Sequence, residues 1–149
     1  MVFGLSTDGR SQTLSPSTRS DDIVAVNFCD VLRDPRSFVG RTIKVNTIYS
    51  VGFEMGWLEY PPTCSIPNEK RSAFRDVWDK SFEERSQKKV IKKFNKLARE
   101  RSKKNNYLGR VLGEFVILVR DFDKPNPYYT GYQYDFVVLS VVSAERPKK

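Results

Sequence analysis

Apolar and polar positions alternate from residue 41 to 50, with Ile43, Val45 and Tyr49 on one face and Lys44 and Asn46 on the other. That period of two belongs to a half-buried strand. Gly52 and Gly56 bracket Phe53-Glu54-Met55, a bend or bulge where a curved strand turns. Trp57-Leu58-Glu59-Tyr60 reads as a second strand, stopped by Pro61-Pro62. The pattern is weak from Thr63 to Lys80, where Phe74, Val77 and Trp78 are the anchors of a third strand or a helical turn. The period then changes. Val90, Ile91, Phe94, Leu97 and Ala98 repeat at helical spacing. Ser81-Phe82-Glu83-Glu84 forms a capping box, and Asn105-Asn106 a stop. The expectation is one helix from Phe82 to about Lys104, roughly 34 Å long. Leu108 to Arg120 is the strongest strand, with Val111, Phe115, Ile117 and Val119 on one face and Gly113 placed to let it coil. Tyr132 to Val142 is the last strand, apolar on both faces. Before the first strand, Asn27 caps a brief helix carrying Phe28, Val31 and Leu32, which Pro35 ends near Asp34.

The order is short helix, two strands, an uncertain third, a long helix, then two strands. Gly40-Arg41 and Gly109-Arg110 open the two principal strands in the same way. The fold class expected is mainly β with one long helix. More specifically, it is an OB-like five-stranded barrel with the helix between strands three and four. Residues 1–22 are polar and rich in Ser and Thr, so they read as a disordered tail or a processed end. Residues 23–146 form a single OB-like domain, followed by a mobile tail.

Composition removes several kinds of chemistry. The chain has no histidine, hence neither the commonest general base nor the commonest metal ligand. Its two cysteines, Cys29 and Cys64, form no CxxC and cannot make a four-ligand zinc site by themselves. They bridge if they meet in space in an oxidising compartment. With no export signal in view, two part-buried free thiols are the favoured reading. No apolar run approaches the ~20 residues that span a bilayer. The formal charge is +8, and nearly all of it lies between residues 83 and 104, where ten basic residues face three acids.

Residues Val26 to Val45, Tyr49-Ser50-Val51-Gly52-Phe53-Glu54, Leu58 and Cys64 carry a resemblance. Their pattern is a helix with Cys and Leu, then Pro and an aromatic, Gly-Arg and a strand, a Gly-Phe-Glu turn, and a second Cys. It resembles a group of uncharacterised, mostly bacterial, small OB-like proteins. The likeness covers residues 25 to 64 well and 108 to 143 loosely. It implies the barrel fold and no agreed activity. Several members look exported, which implies a Cys29–Cys64 bridge. This chain departs from the group in its longer, more basic helix, in lacking a signal peptide, and in Gly131-Tyr132 where the group often has Gly-His.

Two features carry the functional expectation. Arg85, Lys88, Lys89, Lys92, Lys93, Lys96 and Arg99 line the basic helix, with lysine density enough to neutralise phosphates or an acidic protein surface. Tyr128, Tyr129 and Tyr132 lie in the loop before the last strand, one of the two loops that frame the ligand face of such barrels. The inserted helix normally plugs the far end of the barrel, so the two do not form one groove. Glu54, Glu59, Asp76 and Asp79 are scattered along the chain, with Glu54 a candidate buried anchor. No acid–base pair, nucleophile elbow or phosphate loop stands out. The expectation is a non-enzymatic binding module without cofactor or metal. It engages an anionic partner, nucleic acid or acidic protein, through the helix. The alternatives are a single-stranded nucleic-acid binder and an exported, disulfide-stapled interaction domain. The compartment is cytoplasmic for the chain as it stands, or outside the cell if the N-terminus is a processed form.

Overall fold

The computed structural model describes residues 22–52, 56–66, 74–100, 109–122 and 133–148. The chain enters alongside the first strand: the Val26 amide donates to the Lys44 carbonyl at 2.8 Å, and the Lys44 amide to Val24 at 2.9 Å. Asn27 then caps helix α1, Phe28–Arg33, its side chain accepting from the Cys29 amide. Phe28, Val31 and Leu32 turn their apolar face inward. Pro35 opens a 3-10 turn, Pro35–Phe38, and Gly40 follows with φ 83. That left-handed backbone suits glycine. It aims the Gly40 amide at the Val119 carbonyl, 2.7 Å away, and so sets where the first strand starts.

Five strands follow: β1 Thr42–Val51, β2 Gly56–Leu58, β3 Phe74–Trp78, β4 Gly109–Asp121 and β5 Tyr134–Glu145. Their order in the sheet is β2-β1-β4-β5-β3. The β3–β5 pair is parallel and the others are antiparallel. The sheet curls into a nearly closed, barrel-shaped layer. Two register shifts against β5, at Glu114/Phe115 and Val116/Ile117, supply bulges that add curvature. A Cβ on Gly113 would collide with the Ser143 carbonyl, so this crossing needs glycine for close approach. Within the uncertain region, the stretch that carries Phe74, Val77 and Trp78 is strand rather than a helical turn, paired in parallel to β5.

The barrel interior holds two aromatic groups. Toward the starts of β3 and β5, Phe74 stacks on Phe136 at 4.8 Å, with Phe28, Tyr60 and Tyr134 around them. Toward the ends of those strands, Trp78 and Phe115 meet Tyr49, Phe82 and Phe94. Phe94, 4% exposed, brings the helical insert into this second group, and Leu97 is buried beside it. On β5 Asp135, 1% exposed, is held by Arg75 through two bonds of 2.9 Å and by Arg120 at 3.3 Å. That carboxylate ties β3, β5 and β4 together.

The helical insert corrects the single long helix. It lies between β3 and β4 but breaks into α2, Phe82–Arg85, and α3, Lys88–Arg99. Ser86 makes the break. Its hydroxyl donates to the Phe82 carbonyl at 2.7 Å and accepts from the Val141 amide at 3.0 Å, beside the β5 bulge. A ladder donor freed by the bulge is satisfied by a side chain from the insert, and the chain leaves helical geometry to deliver it. Ser81 makes no capping bond through its side chain; Asp79 instead accepts from the Ser81 amide. α3 also ends at Arg99 rather than near Lys104, with Glu100 in extended conformation.

Candidate functional site

α3 separates its residues by character. At 100° per residue, Lys88, Arg99, Lys92, Lys96, Lys89 and Lys93 fall within about 140° of its circumference, and Leu97, Val90, Phe94, Ala98 and Ile91 occupy the opposite side. The six cations are all exposed. Among the described residues none of them is in an ion pair. The break at Ser86 sharpens this. Glu83 and Glu84 belong to α2, so the first turn of α3 holds no acid and begins with Lys88 and Lys89. Two cations at a helix N-terminus oppose its dipole. Their placement is unfavourable for the helix itself. Arg85, expected in the same set, stands on α2 and reaches Asp79 at 3.7 Å, so it is not part of the arc.

A second feature lies where the sheet fails to close. β2 and β3 are its two free edges. They are joined by a side chain rather than a ladder: the Leu58 amide donates to Asp76 Oδ2 at 2.8 Å. Beside this clasp is an open cleft of about 430 Å³ lined by Trp57, Leu58, Glu59, Tyr60, Phe74 and Asp76. Burial pushes the Asp76 carboxyl up from 3.8 to about 6, offset only in part by the Leu58 amide. Burial raises the Tyr49 phenol, and the Asp76 negative charge adds to it. Glu59 behaves oppositely. Burial works against its charge, but bonds from Arg110 and Ser50, with the Arg110 charge, hold it below the usual carboxylate range. Glu59 and Asp76, scattered in sequence, thus meet in one cleft with different chemistry. Trp57 stands at its rim, 39% exposed.

Cys29 on α1 and Cys64, beyond β2, form a disulfide with Cα atoms 5.4 Å apart. This replaces the free-thiol expectation: α1 packs where the chain returns after Pro61-Pro62, and the Cys64 amide donates to the Pro61 carbonyl. Tyr128, Tyr129, Tyr132 and Glu54 lie outside the described residues. Among the described residues no three His, Cys, Asp or Glu side chains are grouped to hold a metal, and no helix is long and apolar enough to cross a membrane. α3 packs on β5, β4 and β1, whereas the cleft belongs to β2 and β3, so the cationic arc and the cleft are separate surfaces. No family model, curated protein or solved structure matches this chain.

Proposed function

We propose that the chain is a non-enzymatic binding module on an OB-type barrel, and that it takes an extended anionic partner along the outer face of α3. The antiparallel β1–β4 pair, the parallel β3–β5 pair and the insert between β3 and β4 support the OB-type reading. One observation carries the partner's chemistry: six exposed cations on one arc, none in an ion pair among the described residues, two of them set against the helix dipole. A solvated face needs only enough charge for solubility, and balanced pairs would supply it at less cost to the helix.

Fluorescence anisotropy with a labelled single-stranded oligonucleotide tests the reading, with poly-glutamate as a second polyanion. If about five phosphates are neutralised, log K falls against log salt with a slope of about −3.5. Reversing Lys92 and Lys93 to Glu abolishes binding of either polyanion and leaves the circular dichroism spectrum unchanged, because both side chains point to solvent. Absence of binding at low salt to both probes overturns the proposal. Binding of poly-glutamate alone assigns an acidic protein in place of nucleic acid.

The Cys29–Cys64 disulfide favours a second reading, an interaction domain working in an oxidising compartment. Thiol titration of the natural protein, denatured without reductant, checks it. Two free thiols reject it.

A further inference from the structure

The cleft at the barrel seam has a charge opposite to that of the chain as a whole, and four observations converge there. Asp76 lines the cleft, half-buried between the edges of β2 and β3; among the described residues no cation pairs with it, and the hydrogen bond it accepts comes from the Leu58 amide. The neighbouring guanidinium, on Arg110, is engaged by both oxygens of Glu59. Trp57, a large apolar ring on an edge strand, is exposed and stacks on no other described ring. The cleft volume of about 430 Å³ falls in the range of small-ligand sites.

We propose that this seam cleft binds an aliphatic ammonium or guanidinium group, with the Asp76 carboxylate as its counter-ion and the Trp57 indole as its wall. An ionised carboxylate partly withdrawn from water, held by a backbone amide and not by a cation among the described residues, is costly, and a ligand cation relieves that cost. The indole face attracts the same charge and its aliphatic stem. Other ligand classes fit less well. An anion meets two carboxylates. A hydroxyl-rich sugar needs several polar partners, yet the Glu59 oxygens are occupied, leaving the Asp76 carboxylate as the principal remaining carboxylate acceptor among the described residues that line the cleft. This site is distinct from the α3 arc and does not rest on it.

The test is a ¹H–¹⁵N NMR titration of the oxidised full chain with three probes: Nα-acetyl-lysine methylamide, its neutral des-amino analogue Nα-acetyl-norleucine methylamide, and n-butylamine. The lysine derivative should shift the Leu58 amide and the Trp57 indole resonances saturably. The norleucine derivative should bind about tenfold more weakly or worse, the value of one charge-assisted hydrogen bond. Asp76→Asn should weaken the lysine derivative by about the same factor. Its spectrum should stay dispersed, because the Asn carbonyl still accepts from Leu58. Tighter binding of the lysine derivative than of n-butylamine identifies the ligand as a side chain on a partner polypeptide; equal binding identifies a free amine. Equal affinity for norleucine, unchanged binding in Asp76→Asn, or no saturable shift overturns the proposal.

Discussion

A carboxyl withdrawn from water holds its proton more tightly in the folded chain than in the unfolded one. For Asp76 that difference runs from 3.8 unfolded to about 6 folded. The stability it represents is fully present below the unfolded value and is lost as pH rises through the folded one. Over this window the cost amounts to about 3 kcal/mol. Asp76→Asn should therefore stabilise the protein near pH 8 by up to about 3 kcal/mol, and the gain should vanish near pH 4. Urea denaturation of both proteins across that range measures it, and a pH-independent difference contradicts the assignment. Glu59 has the opposite sign, since Arg110 holds it below its ordinary range, so the comparison with the Asn variant is what isolates Asp76. Neither role was legible beforehand. Asp76 sits between Arg75 and Val77 as one more polar position in a weak stretch, and only the approach of β2 shields it.

Among the elements, α3 was the most readable and the least completely read. The spacing of Val90, Ile91, Phe94, Leu97 and Ala98 gave its inner face, because helical period and burial are the same statement. The sequence gives no sign that the helix stops at Arg85 and restarts at Lys88. No glycine or proline marks the break. Its cause is remote, a Val141 amide released by a bulge 55 residues away. Ser86→Ala removes the acceptor for that amide and the donor to Phe82, both buried. The expected cost is about 1–3 kcal/mol, read as a lower urea midpoint. Retained stability would mean that the bulge finds another partner. The polyanion test belongs at this scale too, since binding should follow the arc of α3 and not the net charge of the chain.

For the molecule as a whole, the Cys29–Cys64 bridge closes a loop with a sequence separation of 35. Loop-closure entropy gives it about 4 kcal/mol. Reduction should lower the unfolding free energy by that order while the oxidised and reduced proteins keep the same far-ultraviolet spectrum in buffer. An unchanged midpoint after complete reduction refutes it. The sequence by itself determined the local elements: Asn27 and Pro35 bounding α1, Gly40 opening β1, the alternation of β1, the apolar β4 and β5, and the cationic helix. Each of these is set by the backbone preference or side-chain period of near neighbours. Tertiary structure alone decided what distant segments do to one another. It brought Cys29 to Cys64, set β3 parallel to β5, broke the insert at Ser86, and left β2 and β3 as edges clasped by Asp76. Such contacts depend on loop closure and on the burial of polar groups between strands, and neither leaves a period in the chain to be read.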